Sequence, residues 1–178
     1  MLRALSIALL LGLVARSADA QIRLELAGGY SLAHDPRDGI TLPAGWMAGA
    51  VIGVTPALAI VTDVGGQYKT IPLLQGDARL AVHAVMGGVR ASTRVGRLIE
   101  FAQIAAGIVR TSGSAFGSST TAQSASVQPG LGVDYPAARA LAVRAQFDVR
   151  LVAAQPDAQN RGLQYRFALA LVYRNRHR

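Results

Sequence analysis

The chain has 178 residues, a formal net charge of +8 and no cysteine, so disulfide bridges are excluded as a source of its stability. Such a basic balance would ordinarily suggest nucleic acid or an anionic surface as partner. The arginines are spread along the chain and several alternate with acids, which indicates internal pairing and argues against a nucleic-acid interface. One dense basic run, residues 174–178, is expected to be a solvated tail.

Residues 1–20 have the features of a cleaved secretory signal peptide. Arg3 precedes an apolar run over 4–14, and Ala18-Asp19-Ala20 supplies the small-x-small pattern of a cleavage site. The apolar run is shorter than the roughly 20 residues that a membrane helix needs. We therefore predict a signal peptide at 1–20 and a single mature domain at 21–178.

Alternation of apolar and polar residues predicts eight strands in the mature chain, because the apolar residues share one face only at a period of two. In the last two strands, for example, Leu141 to Leu151 and Leu163 to Tyr173 are apolar at every second position. The alternation is less clean where His83 and Gln103 fall on faces expected to be apolar, so we expect a bulge or a shifted register there. The predicted strands are 22–30, 45–54, 58–68, 80–92, 98–111, 125–135, 139–151 and 163–173.

The predicted connections alternate between short and long. Those after the second, fourth and sixth strands are short, whereas those after the others are longer and rich in turn residues. This asymmetry is typical of an antiparallel up-and-down barrel that crosses a membrane, and a soluble Greek-key sandwich has no reason to show it. The fold class is thus predicted to be all-β, an eight-stranded antiparallel up-and-down transmembrane β-barrel. The long loops are expected at 31–44, 69–79, 112–123 and 153–162. The second of them contains the only lysine of the sequence, Lys69.

One face of the predicted strands is apolar, and the other mixes glycine and alanine with charges of both signs. In a soluble lipocalin-like barrel the apolar face would point inward, whereas in a membrane barrel it meets lipid. The absence of charge on the apolar face, and aromatic residues near strand ends, favour the membrane barrel. Its lumen is expected to hold an ion-pair network of Arg23, Glu25, Asp63, Arg90, Asp134, Arg144, Asp148, Arg150 and Arg166, which Glu100 could join. The expected interface aromatics are Tyr30, Trp46, Tyr68, Tyr135, Tyr165 and Tyr173.

Several stretches resemble a known family: GGYS (28–31), TDVGGQY (62–68), GLGVDY (130–135) and the closing RFALALVYR (166–174). They are similar to the small outer-membrane β-barrel proteins of Gram-negative bacteria, the porin-like, OmpA-type transmembrane barrels. The resemblance implies the cell outer membrane as location, both termini in the periplasm, and outer-membrane lipid as surroundings. It also implies recognition of the C-terminal strand by the outer-membrane assembly machinery, although here basic residues follow the terminal aromatic.

A lumen filled by arginines and carboxylates should not conduct freely, since diffusion pores usually have many more strands. We therefore expect a monomer with a structural, adhesive or other surface-interaction role through four long external loops. A narrow porin-like channel for small solutes and a soluble secreted lipocalin-like binder are the alternatives. Ser31, His34 and Asp35 could outline a hydrolase, but turn formation explains this segment equally well. No enzyme activity, cofactor or metal site is predicted.

Overall fold

The computed structural model describes residues 23–73, 76–116, 118–153 and 162–175, so the predicted signal peptide lies outside the described residues. None of the helices in the described residues is long and apolar enough to cross a bilayer. The described residues form the strands β1 (Leu24–Asp35), β2 (Ile40–Leu42), β3 (Ala44–Gly53), β4 (Leu58–Leu73), β5 (Gly76–Val95), β6 (Leu98–Ala115), β7 (Ser118–Pro136), β8 (Leu141–Val152) and β9 (Gly162–Asn175).

The strands form one closed antiparallel sheet. From β3 to β9 each strand pairs with its neighbour in sequence, and β1 pairs with both β3 and β9, which closes the barrel. Short β2 continues β3 along the same edge of β1, so the two act as one interrupted strand. The prediction of an eight-stranded antiparallel up-and-down barrel is confirmed.

The interruption between β2 and β3 is a β-bulge. Ala33 pairs with Leu42 but Tyr30 pairs with Trp46, so two residues of β1 face three residues of the opposite strand. The extra residue is accommodated at Pro43, which has no backbone N–H to give to a ladder. The Tyr30 hydroxyl donates to the Pro43 carbonyl and holds the bulge against the barrel wall.

The bulge expected near His83 and Gln103 is absent, so that prediction is wrong. The β5–β6 register runs without interruption from Arg79 opposite Ser114 to Val95 opposite Leu98. Gln103 points into the barrel and is buried, whereas His83 lies on the outer face. The alternation of β6 was obscured because both of its faces are largely apolar, with residues such as Phe101 inside and Ile104 outside.

Three of the four predicted long loops are mainly extensions of the strands. The β4–β5 pairing continues to Leu73 opposite Gly76, and the β6–β7 pairing continues to Ala115 opposite Ser118. Residues 31–35 and 40–42 likewise belong to β1 and β2, and Lys69 lies in β4 instead of a loop. Beyond the apolar part of the barrel both faces of a hairpin can be polar. The backbone hydrogen bonds between its strands therefore continue, although the sequence no longer alternates between apolar and polar residues. Of the fourth predicted loop, residues 154–161 lie outside the described part of the chain.

The Gly87-Gly88 pair offers a test of the close packing between strands. A Cβ on Gly88 would overlap the Ile104 carbonyl on β6, whereas a Cβ on Gly87 would meet nothing within 4 Å. We expect Gly88→Ala to lower the free energy of unfolding by about 1–3 kcal/mol, as overpacking does. Gly87→Ala should change it by less than about 0.5 kcal/mol. Urea unfolding of the refolded barrel, followed by the fluorescence of the single tryptophan, measures both, and equal losses would contradict this packing.

Candidate functional site: a filled lumen inside an apolar exterior

The closed sheet sorts side chains in the opposite sense to a water-soluble protein. Leu171, Val85 and Leu131 are 63%, 62% and 61% exposed on the outer wall, whereas Arg150 and Arg166 are fully buried inside. Soluble proteins seldom expose large contiguous apolar surfaces, and they almost never bury arginine fully. The exterior is therefore suited to an apolar medium.

Charges mark the limits of the apolar exterior on β6. Glu100 and Arg110 both face outward, and the outward positions between them carry alanine or isoleucine. Ten residues at about 3.3 Å each, on a strand tilted by about 40°, rise about 25 Å, which is the usual height of the apolar band of a membrane barrel. The expectation that Glu100 could join the lumen network is thus wrong, because it lies on the face opposite the buried Phe101.

The predicted interface aromatics all lie exposed on the outer wall. Two belts result. Tyr135 and Tyr173 lie near the end of the barrel with short turns, and Tyr30, Trp46, Tyr68 and Tyr165 lie toward the end with extended hairpins. The latter group is partly hydrogen bonded, since Trp46 Nε1 donates to the Tyr68 hydroxyl at 3.1 Å. His83, for which the sequence favours a packed or interfacial side chain over a ligand, also lies here: its Nε2 is 3.0 Å from the Tyr68 hydroxyl.

A cluster of three arginines and two carboxylates lies in the lumen near the short turns. Arg144 bridges Asp134 at 2.7 and 2.9 Å and Glu25 at 3.2 Å. Arg174 donates to the same two carboxylates, at 3.1 Å to Glu25 and 2.5 Å to Asp134. Arg23 also contacts Glu25 at 2.9 Å but keeps its side chain 44% exposed. Residues of four consecutive strands of the barrel, β7, β8, β9 and β1, are thereby tied together.

A second group spans the middle of the lumen. Arg166 on β9 forms a bidentate pair with Asp63 on β4, with both hydrogen bonds at 2.7 Å. It also donates to Asp148 at 2.9 Å. Asp148 accepts further hydrogen bonds from Gln146 at 3.0 Å and from Gln103 at 3.4 Å. Because β4 and β9 are not adjacent in the sheet, the Arg166–Asp63 pair crosses the barrel.

Phe101 connects the two groups through its ring. The Arg90 guanidinium lies 3.9 Å from the ring centroid and that of Arg144 lies 4.8 Å from it, both within cation–π range. Arg90 also donates to Gln103 Oε1 at 3.1 and 2.6 Å. A neutral ring and a neutral amide are therefore the partners of Arg90, where the sequence suggested only carboxylates.

Among the predicted network residues, eight are buried in the lumen and Arg23 lies at its edge. Arg174 was assigned to a solvated tail, and that assignment is wrong, because it is 5% exposed and bridges two acids. The predicted network did not include the buried amides Gln67, Gln103, Gln128 and Gln146. The alternation places all of them except Gln103 on the polar face of their predicted strands, so their position was the available signal.

The lumen is not polar throughout, contrary to expectation. Toward the extended hairpins many inward side chains are apolar, and six of them form one buried cluster: Leu42, Val82, Ala84, Met86, Ala105 and Val109. Ile40, Leu80 and Val152 pack against this cluster and are only partly buried. Ser31, Gln67 and Arg150 are buried polar residues in the same part of the lumen. The polar network thus fills the part near the short turns and the middle, and a mainly apolar lining follows it.

The residues that could have outlined a hydrolase are engaged elsewhere. Ser31 is buried and donates to the Trp46 carbonyl, whereas His34 Nδ1 lies 2.9 Å from Thr41 Oγ1. Asp35 accepts the backbone N–H groups of Arg37 and Asp38, as expected for a turn. No group of three or more potential metal ligands occurs in the parts of the chain that the structure describes.

Comparison with known proteins identifies the fold. No protein-family model and no curated protein matches the chain. Among solved structures, Ail, the attachment invasion locus protein of Yersinia pestis, in complex with the heparin analogue sucrose octasulfate, matches with a TM-score of 0.64. The identity is 15%, and the match covers 86% of this chain and 99% of Ail.

Two further structures match over similar lengths. Neisserial surface protein A matches with a TM-score of 0.68 at 9% identity, covering 85% of this chain and 96% of that protein. The N-terminal β-barrel domain of Pseudomonas aeruginosa OprF matches at 0.54 and 8% identity, with 85% and 97% covered. At these identities the likeness concerns architecture. The chain therefore has the fold of the small eight-stranded outer-membrane β-barrels.

Proposed function

We propose that this protein is a structural barrel of the cell outer membrane, with a lumen closed by side chains and external hairpins that contact other surfaces. The observation that carries the proposal is the inverted arrangement of its side chains, an apolar exterior about 25 Å high around buried arginine–carboxylate pairs. Lipid is the medium that this exterior suits. A closed sheet also suits lipid, because an unpaired backbone amide in hydrocarbon costs several kcal/mol.

The extended hairpins support the surface-interaction role. The ladders of β4 to β7 continue well past His83 and Arg110, which mark the upper edge of the apolar exterior. In this orientation the short turns and both chain termini face the periplasm, and the hairpins project outside. The similar fold of Ail, an attachment invasion locus protein, agrees with such a role without specifying a ligand for this chain.

Monomeric assembly and recognition of β9 by the assembly machinery belong to the same proposal. Within the apolar band every strand has two partners, so no edge there invites a second copy. The last outward-facing aromatic of β9 is Tyr173, two residues before the strand ends, which agrees with the terminal aromatic that the family resemblance implies. Arg174 does not interfere, because it turns inward to Glu25 and Asp134. The proposal includes no catalysis.

Bilayer conductance tests the closed lumen against the porin-like alternative. The native protein in planar bilayers should give no steady single-channel current, because the Arg166–Asp63 pair and its neighbours occupy the cross-section. The double variant Asp63→Ala/Arg166→Ala should stay closed as well, because the cluster of Glu25, Asp134, Arg144 and Arg174 still occupies the lumen near the short turns. Steady currents from the native protein would instead favour the channel.

The lipid-facing assignment can be tested by placing one new charge on the exterior. Phe147 faces outward near the middle of β8, opposite Leu131 and Phe167. Phe147→Arg should cost about 2–4 kcal/mol at the centre of the bilayer and strongly reduce the amount of protein in the outer membrane. Phe116→Arg is the matched control, because Phe116 is exposed next to the end of β6, beyond the apolar band.

Both variants are quantified in membrane fractions by the heat-dependent shift of gel migration that a folded membrane barrel shows before boiling. Native-like amounts of Phe116→Arg and a large loss of Phe147→Arg are expected. Equal amounts of the two variants would contradict a lipid-facing exterior, and a native protein without any heat-dependent shift would favour the soluble lipocalin-like alternative.

A further inference from the structure

The external mouth of the lumen contains a cavity that the structural role leaves unexplained. It has a volume of about 330 Å³, at the lower end of the range of small-molecule sites. Its lining is mainly apolar, with Ile40, Leu42, Leu80, Val82 and Val152, and it also includes the polar residues Thr111, Ser124 and Gln164. This composition suits a small molecule with an apolar body and one polar end.

Arg150 lies next to this cavity. It pairs in register with Gln164 of the cavity lining and precedes the lining residue Val152 by two positions on the same inward face of β8. Its side chain is fully buried. Nε donates to Gln128 Oε1 at 2.9 Å and Nη1 to Gln164 Oε1 at 3.4 Å, whereas Nη2 has no hydrogen-bond partner among the described residues.

The buried charges of the lumen do not balance in the described part of the chain. Four buried carboxylates, Glu25, Asp63, Asp134 and Asp148, face five buried arginines, Arg90, Arg144, Arg150, Arg166 and Arg174. Three of these arginines are in salt bridges, and Arg90 lies over an aromatic ring. Arg150 has only neutral amides as hydrogen-bond partners within these residues.

A buried cation with a free donor is costly, and an anion beside it offsets that cost. Gln164 lines the cavity and also accepts a hydrogen bond from Arg150, which places the guanidinium next to the cavity. The acidic residues at the cavity rim, Asp35 and Asp38, disfavour ligands with several negative charges. The position therefore suits a single negative charge at the inner end of the cavity.

We propose that the external mouth of the barrel binds a small amphiphilic carboxylate, such as a medium-chain fatty acid. The alkyl chain would lie against Leu42, Leu80 and Val82. The carboxylate would accept hydrogen bonds from Arg150 Nη2 and from the amide of Gln164. This site is independent of the surface-interaction role, since it faces the lumen and not the outer surface of the hairpins.

The test uses the full barrel in lipid nanodiscs with ¹⁵N-labelled arginine. Octanoate and 1-octanol are titrated separately, because they share the alkyl chain and differ in charge. The native protein should bind octanoate at least ten-fold more tightly than octanol, with a shift of the Arg150 Nε–H signal. Arg150→Gln should reduce this preference to less than two-fold. Arg79→Gln, which removes an exposed arginine of β5 outside the cavity lining, should retain it.

A second variant keeps the test decisive if Arg150→Gln does not fold. Leu80→Trp places a large ring in the cavity without changing Arg150 and should weaken octanoate binding at least ten-fold. Equal binding of octanol and octanoate by the native protein would overturn the proposal. So would an unmoved Arg150 signal, or undiminished octanoate binding by Leu80→Trp.

Discussion

The structure depends on one geometric constraint, the alternation of side chains across a sheet that has no edge in its apolar part. Closure between β1 and β9 gives every strand there two partners, so each residue faces either the outer wall or the lumen. A shift of the strand register by one residue would turn the outward-facing side chains into the lumen and the lumen side chains outward. Register, the apolar exterior and the contents of the lumen are therefore fixed together.

Because the lumen is narrow, its side chains must satisfy one another. Glu25 and Asp134 each form salt bridges with two arginines inside the lumen, and Arg166 forms salt bridges with both Asp63 and Asp148. Buried ion pairs repay their desolvation only with good geometry, so they are weak evidence for stability. Their role here is to fix the position of the strands relative to one another. Glu25 and Arg174, for example, are far apart in sequence and meet only when the last strand pairs with the first.

Polar and apolar fillings divide the lumen along its axis, and this division separates two roles. The ion-pair network occupies the lumen near the short turns and in the middle, which supports the proposal of a structural barrel over a channel. The apolar lining toward the outside leaves a cavity that ends beside a cation with only neutral partners in the described residues. The two proposals are therefore compatible, because they concern different parts of the lumen.

The sequence by itself determined the number of strands, most of the lumen charges and, where the alternation is clear, which side chains face outward. It could do so because apolar and polar residues alternate with a period of two within each strand. It could not assign Arg174, which follows the last apolar residue and looks like part of a basic tail until β1 brings Glu25 beside it. Nor could it predict the bulge at Pro43, the length of the hairpins or the apolar mouth. These features arise from contacts between strands distant in sequence, and only the closed tertiary structure decides which residues meet.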